Sequence, residues 1–217
     1  MRNFLLGGLL LGFLAATASA SVTYQTSGVF NCTNNSPTFT GCGTDALDLD
    51  TAGGNPDIIL AFDGVLSNTV TPTTGGPFGD IVVECADGTT GGAADCGPET
   101  LPAGVTLTIT IDQTSPSFSP AALSVNATLT SGTITGTSTG GVAVVWSTAS
   151  TVTFGSDLYS IGPTNDPLNP PSSGGPNFGS LTLNGLITNE SLPEPSTLSL
   201  MGAGLIALGF AARRKRA

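Results

Sequence analysis

The chain has 217 residues and a formal net charge of −10 at neutral pH, with all five Lys and Arg near its two ends and no His. Residues 21–192 hold fourteen of the fifteen Asp and Glu and no basic side chain, which gives this segment a formal charge of −14. Nucleic-acid binding, His-dependent catalysis, His-ligated metal sites and P-loop chemistry each need a cationic or imidazole group. The composition therefore excludes these functions for residues 21–192.

Residues 1–20 have the three parts of a secretory signal peptide. Arg2 supplies the positive charge, residues 4–16 are apolar apart from glycine, and residues 18–20 read Ala-Ser-Ala, a small-residue cleavage site. We therefore expect an exported chain whose mature form begins at Ser21. The alternative is an uncleaved anchor, which the short apolar stretch disfavours.

Four cysteines form two pairs that are close in sequence, Cys32 with Cys42 and Cys85 with Cys96. An even number of cysteines in an exported chain predicts disulfides, and four cysteines allow three connectivities. We predict the local pairing, in which each closed loop stabilises the fold by about 3 kcal/mol on the chain-entropy model. A cysteine metal site is the alternative, which an oxidising compartment and the lack of His disfavour.

An acidic cluster occupies residues 44–57. Its members are Asp45, Asp48, Asp50 and Asp57. Calcium prefers carboxylate and carbonyl oxygens on turns, so these four side chains form a candidate Ca²⁺ site. Their spacing differs from that of an EF-hand loop, and we favour the simpler interpretation of a solvated acidic loop. We therefore expect no obligatory cofactor, with Ca²⁺ as the one candidate ion.

Most of residues 21–192 has the pattern of short β-strands. Residues 105–111 alternate apolar side chains with Thr over seven positions, which is the period of a half-buried strand. Similar runs lie between clusters of turn-forming residues, at 58–62, 81–85, 124–130, 142–147, 151–154 and 180–187. We predict an all-β domain, an antiparallel β-sandwich with a jelly-roll-like arrangement.

Catalytic candidates in this domain reduce to pairs of carboxylates. Glycoside hydrolases use two carboxylates that flank a sugar, but no pair here is marked by neighbouring aromatic side chains. Trp146 is the only Trp, and we expect it in the core because it follows the apolar run 142–145. We therefore expect a non-enzymatic protein, with a carboxylate-based glycoside hydrolase as the least favoured alternative.

Several segments of the domain resemble a choice-of-anchor domain, one of a group of extracellular β domains of unknown function. The segments are 27–30, 78–81, 105–111 and 151–161 with Phe154 and Tyr159. This resemblance implies an exported β domain and no catalytic residue.

Residues 193–217 combine a short polar motif, an apolar run and a basic end. The motif is Pro193-Glu194-Pro195, the run 197–212 has sixteen uncharged residues, and the end is Arg213, Arg214, Lys215 and Arg216. As a helix the run would span about 24 Å, less than the roughly 30 Å of a bilayer core. The basic end should stay cytoplasmic. We predict a transmembrane sorting helix at 197–212 in preference to an ordinary single-pass anchor.

This order of features resembles the PEP-CTERM sorting signal of Gram-negative bacteria, which exosortase-type membrane enzymes recognise and process. The resemblance implies an exosortase-like enzyme and the inner membrane as partners, and exopolysaccharide as a further candidate. It also implies that Pro193, Glu194, Pro195 and the basic end form the sorting signal.

The chain is thus predicted to have three segments, a signal peptide at 1–20, a β-sandwich at 21–192 and a sorting segment at 193–217. We expect a non-enzymatic protein of the cell envelope or extracellular matrix, linked to exopolysaccharide and biofilm production. Its precursor would be held at the inner membrane with the domain in the periplasm, before delivery to the cell surface or release. The alternative is a calcium-assisted carbohydrate-binding β-sandwich, and no nucleic-acid partner is expected.

Overall fold

A computed structural model describes residues 21–33, 39–49, 57–86, 96–120, 122–146, 148–162, 164–173, 178–189 and 202–204. The described strands are β1 (Val22–Cys32), β2 (Phe39–Thr40), β3 (Ala46–Leu49), β4 (Ile58–Asp63), β5 (Asn68–Val70), β6 (Thr74–Cys85), β7 (Glu99–Leu101), β8 (Val105–Ser115), β9 (Ala122–Leu129), β10 (Gly132–Ile134), β11 (Ala143–Trp146), β12 (Ser150–Phe154), β13 (Asp157–Ile161), β14 (Thr164–Pro167) and β15 (Phe178–Asn189), with a 3-10 helix at Pro171–Ser173.

The strands form two antiparallel sheets with the core between them. Sheet A has the order β14-β11-β9-β8-β1-β5, and sheet B has the order β12-β13-β15-β6-β4-β3-β2, while β7 and β10 make a separate pair. Alternate side chains of each strand point inward, as in β8, where Leu107, Ile109 and Ile111 are fully buried. The predicted antiparallel β-sandwich is confirmed, and each of the seven predicted runs overlaps a strand.

The first strand lacks an obvious sequence signal although it is among the longest. β1 alternates buried and outward residues, but two of its inward positions are Thr26 and Gly28. Thr26 is accommodated because its hydroxyl donates to the carbonyl oxygen of Phe78 at 2.9 Å. At Gly28, a Cβ would lie 2.5 Å from the ring of Phe62, so only glycine leaves room for that ring.

β1 also joins the two sheets. It pairs with β8 and β5 in sheet A, and its backbone bonds to the segments that flank β3 and β4 in sheet B. The Phe30 amide donates to the carbonyl oxygen of Thr44 at 2.8 Å, and the Thr26 amide donates to that of Val65 at 2.8 Å. One strand therefore satisfies backbone groups on both layers, which fixes how the sheets meet along this side.

Part of the acidic segment was wrongly expected to be a loop. Ala46–Leu49 is strand β3, and the side chains of Leu47 and Leu49 are fully buried. The segment has only four strand residues, and Asp48 interrupts its apolar pattern on the outward face, so its alternation is too short to outweigh the carboxylates.

The four cysteines form the disulfides Cys32–Cys42 and Cys85–Cys96, so the predicted local pairing is confirmed. Cys32 at the end of β1 is bonded to the connection between β2 and β3, and Cys85 at the end of β6 is bonded to the connection that precedes β7.

Trp146 is 2% exposed, which confirms its predicted place in the core. Its indole N–H has no hydrogen-bond partner among the residues that the structure describes.

An aromatic cluster packs between the sheets near the start of β1. The rings of Tyr24 and Phe78 are 5.6 Å apart, and Tyr159 lies edge-on to Tyr24 at 5.7 Å and to Phe154 at 5.4 Å. These four side chains come from β1, β6, β12 and β13, so the cluster links both sheets. Edge-to-face aromatic pairs add about 0.5–1.5 kcal/mol each beyond the burial of their area.

Buried hydrogen bonds surround this cluster. The Tyr159 hydroxyl donates to Gln113 Oε1 at 2.8 Å, and Gln113 Nε2 donates to Asp157 Oδ2 at 2.9 Å and to the Pro116 carbonyl oxygen at 3.1 Å. The Tyr24 hydroxyl donates to the Pro77 carbonyl oxygen at 2.7 Å. Tyr24, Gln113 and Tyr159 are thus accommodated in the core because their polar atoms find hydrogen-bond partners there.

Replacing Gly28 by Ala should destabilise the domain by about 1–3 kcal/mol, because the new methyl group would overlap the buried ring of Phe62. Denaturant unfolding of residues 21–192 measures the effect. Gly75→Ala is the matched control, since its Cβ would meet no atom closer than 3.4 Å. Equal unfolding midpoints for the two variants would contradict the packing described for β1.

The two tyrosines should make the domain sensitive to alkali. Burial raises the pKa of Tyr24, and burial followed by the negative charge of Asp157 raises the pKa of Tyr159, both from an ordinary value of 10.0. Because the folded-state pKa values exceed the unfolded ones, their contribution to stability is complete below about pH 10 and is lost as the pH rises further.

The tyrosinate absorbance should therefore rise only together with unfolding, which the fluorescence of Trp146 reports independently. These are the only two Tyr in the chain, so the signal has no other source. Tyr159→Phe should reduce the pH dependence of the unfolding free energy above about pH 10. Tyrosinate formation in a fully folded domain near pH 10 would contradict the buried arrangement.

Candidate functional site

A cleft of about 360 Å³ opens on the outer face of sheet A. Its floor is formed by outward side chains of β1, β8 and β9, and its wall by the loop between β4 and β5. The lining residues are Gln25, Thr26, Ser27, Val65, Leu66, Thr110, Asp112 and Ala122. Leu66 is 90% exposed, the highest value among the exposed large hydrophobic side chains of the described chain. The cleft therefore combines hydroxyl, amide and carboxylate groups with one apolar wall.

The cleft continues into a ladder of uncharged polar side chains. Strand register places four outward rows across β1, β8 and β9. The rows are Asn31–Thr106–Thr128, Val29–Thr108–Asn126, Ser27–Thr110–Ser124 and Gln25–Asp112–Ala122. Neighbouring strands lie about 4.8 Å apart and successive rows about 6.8 Å apart. We name these twelve positions the neutral face, because Asp112 is the only charged residue among them.

Hydrogen bonds between these side chains set their orientation. Asn31 Nδ2 donates to Thr108 Oγ1 at 2.9 Å, and Thr108 Oγ1 donates to Asn126 Oδ1 at 2.6 Å. At the cleft, Gln25 Nε2 donates to Asp112 Oδ2 at 2.7 Å. Side chains that are already ordered lose less entropy when a ligand binds.

The outer face of sheet B has the opposite electrostatic character. β3, β4 and β6 present four carboxylates there: Asp48, Asp63, Asp80 and Glu84. The described chain offers no cation to pair with them, because residues 21–192 contain none. The two broad faces of the sandwich are therefore distinct, one nearly neutral and the other acidic.

The predicted calcium residues are only partly brought together. Asp48 lies outward on β3, and its register partner on β4 is Ile59, two residues after Asp57. Asp45 is exposed in the turn before β3, and Asp50 lies outside the described residues. Within the described ranges, no three or more Cys, Asp or Glu side chains are arranged to hold a metal ion. The calcium site stays a prediction.

One pair of carboxylates lies directly opposite across two strands. Asp63 of β4 and Asp80 of β6 are register partners on the outer face of sheet B. Opposed side chains on antiparallel strands have Cβ atoms about 4.5–5.5 Å apart, so these two carboxylates are direct neighbours on the sheet surface. The pair lies on the outer face of sheet B, and the expectation of a non-enzymatic protein stays a prediction.

The sorting segment lies largely outside the described residues. Pro193, Glu194, Pro195 and the basic residues 213–216 are not among them, and neither are residues 1–20. Of the predicted helix at 197–212, residues 202–204 are described and are helical. The described part of the chain contains no helix of the length and apolarity needed to span a membrane.

The family model of the PEP-CTERM protein-sorting motif matches residues 191–216. The match covers the motif at 193–195, the apolar run at 197–212 and the basic end together. The chain carries a PEP-CTERM sorting motif. It is an exported protein that an exosortase sorts. No curated protein and no solved structure gives a significant match to the chain, and the resemblance to choice-of-anchor domains stays a prediction.

The cleft and the neutral face were not identified from the sequence. The Thr alternation in β8 predicted a solvent-facing row, but the partner rows come from β1 and β9 and depend on register. Leu66 and Gln25 are separated by 41 positions in the chain, so only the folded β1 brings them to one cleft. The sequence signal that could have indicated this face is the set of Thr, Ser and Asn residues at outward positions of the separate strand runs.

Calcium should leave the melting temperature of residues 21–192 unchanged relative to EDTA. Ca²⁺ needs six to eight oxygen ligands, and a cation that binds the folded state must raise its stability. Thermal unfolding in the two buffers measures this directly. A rise that Asp57→Asn abolishes and Asp63→Asn preserves would instead establish the calcium-assisted alternative, with Asp48 and Asp57 among the ligands.

Proposed function

We propose that the mature domain is a non-enzymatic component of the cell envelope or extracellular matrix, delivered by the exosortase and associated with exopolysaccharide in a biofilm. Its precursor is held at the inner membrane by residues 197–212 with the domain in the periplasm, until processing sends it to the cell surface or beyond. The sorting motif supports the delivery step. The neutral face is the observation that supports the association of the domain with exopolysaccharide.

The charge distribution favours a neutral polysaccharide as the ligand. A domain with a formal charge of −14 repels anionic polymers, and bringing an anionic ligand to its acidic face would add to that repulsion. The neutral face avoids this cost, since eleven of its twelve positions carry no charge and Asp112 already accepts from Gln25. Hydroxyls of a sugar can donate to and accept from the Thr, Ser and Asn side chains there.

The stability of the fold also suits an extracellular location. Two disulfides hold it, and side-chain ion pairs cannot form within residues 21–192 because that segment has no cation. Disulfides persist in oxidising compartments. The domain therefore does not rely on attractive ion pairs that changes in external salt would weaken.

Residues 21–192 should bind an insoluble neutral polysaccharide such as cellulose and should not bind anionic alginate. Binding should change little with salt, because few charges take part. Combining Thr108→Val with Ser124→Ala removes two hydroxyls from the neutral face and should weaken binding by about thirtyfold, at roughly 1 kcal/mol for each lost hydrogen bond. Co-sedimentation with the polysaccharide gives the affinity.

The matched control combines Thr182→Val with Ser180→Ala, two exposed positions on the outer face of sheet B. This variant should bind like the unsubstituted domain. If both double variants bound equally well, or if only alginate retained the protein, the neutral face would not be the ligand-binding surface.

A further inference from the structure

The last strand of the domain ends very close to the sorting motif. β15 ends at Asn189, and only residues 190–192 separate it from Pro193. A fully extended chain advances at most about 3.6 Å per residue, so the α-carbons of Asn189 and Pro193 are no more than about 14 Å apart. The motif is therefore tied to one particular end of the sandwich.

The end of β15 is held in place on both sides. In sheet B it lies between β13 and β6, and Asn189 is the register partner of Asp157 while Ile187 is that of Thr74. The amide of Thr73 donates to the carbonyl oxygen of Ile187 at 2.7 Å. Extra length for the tether would require these pairings to break, beside the buried Gln113–Asp157 hydrogen bond.

Three connections surround this end of β15, and together we name them the tail-side surface: residues 71–73, 116–120 and 155–156. Thr73 bonds to β15, a Cβ on Gly155 would touch the ring of Phe118, and β5 immediately precedes residues 71–73. None of these ten residues is charged, although the domain is strongly acidic. Leu186, which is 45% exposed, adds an apolar side chain near the same end.

We propose that the tail-side surface is where the folded domain contacts the exosortase during processing. A stable protein interface covers about 800 Å² on each partner, which corresponds to nearly 30 Å across. Because the motif lies within about 14 Å of the end of β15, a contact of that width around the motif would extend onto the tail-side surface. The uncharged composition fits such a contact, because no carboxylate of the tail-side surface would lose its hydration there.

The full-length precursor in cells that contain the exosortase provides the test. Combining Thr71→Glu with Ser117→Glu places two carboxylates on the tail-side surface, at exposed positions. Conversion of precursor to processed protein, followed by pulse-chase and mass spectrometry, should slow by about threefold or more, because both charges would be desolvated at the contact. Replacing Pro193, Glu194 and Pro195 by Ala gives the unprocessed reference.

The matched control combines Ser131→Glu with Thr137→Glu. These exposed residues follow β9, whose first residue Ala122 lies next to the tail-side surface, so they belong to the opposite end of that strand. The charge and residue types change identically, and conversion should proceed at the unsubstituted rate. Equal slowing by both double variants would overturn the proposal.

Lengthening the tether distinguishes a contact between enzyme and domain from effects of the substitutions on folding or export. A flexible Gly-Ser insertion of about ten residues after Asn189 adds roughly 17 Å of average reach. It should restore normal conversion to the Thr71→Glu, Ser117→Glu precursor, since the enzyme no longer needs to touch the domain. Slowing that the insertion fails to relieve would mean that the substitutions act on folding or export, and would overturn the proposal. A third outcome would also overturn the proposal: the insertion speeds conversion of the unsubstituted chain, and the two Glu substitutions have no effect. That result would indicate that β15 must unpair before processing.

Discussion

The contact between β1 and sheet B is the constraint on which the rest of the sandwich depends. Gly28 leaves room for the ring of Phe62, and the Thr26 hydroxyl satisfies the Phe78 carbonyl oxygen across the interface. This close approach lets one strand hydrogen-bond to segments of both layers. The aromatic cluster around Tyr24 and Tyr159 then fills the space where the sheets diverge from β1. Its hydrogen bonds can be satisfied in the core because Gln113 of β8 faces Tyr159 and Asp157 of β13 across the two sheets.

A chain segment without cations has to fold by other means than ion pairing. In residues 21–192 burial of apolar side chains, backbone pairing and two disulfides supply the stabilisation, and the carboxylates are mostly placed outward. Their distribution is uneven, since Asp48, Asp63, Asp80 and Glu84 share the outer face of sheet B. Separating the charges in this way leaves the outer face of sheet A available for a neutral partner, and the tail-side surface contains no charged residue. The proposed polysaccharide-binding face and the proposed exosortase contact are thus different surfaces of one domain.

How far the sequence predicted this structure differs from element to element. Strand β8 was evident, because seven residues alternate strictly and β-branched side chains fit a half-buried strand. The pairing of Cys32 with Cys42 and of Cys85 with Cys96 followed from short spacing. β1 and β3 were missed for physical reasons: Thr26 and Gly28 occupy inward positions that periodicity assigns to apolar residues, and Asp48 gives β3 the composition of a loop. In both cases a contact with another strand, absent from the local sequence, outweighs local propensity.

The sequence by itself determined the export route, the all-β class and the chemistry that residues 21–192 lack. A sorting motif and a strand pattern are contained in a local stretch of sequence, and a missing residue type excludes the functions that need it. Only the tertiary structure decided which polar residues share a face, which carboxylates oppose each other and which end of the sandwich carries the sorting motif. Those properties depend on strand register and order, which join residues such as Gln25 and Asp112 that are 87 positions apart. Register is set jointly by the hydrophobic patterns of the paired strands and by the turns between them, and no single segment contains that information.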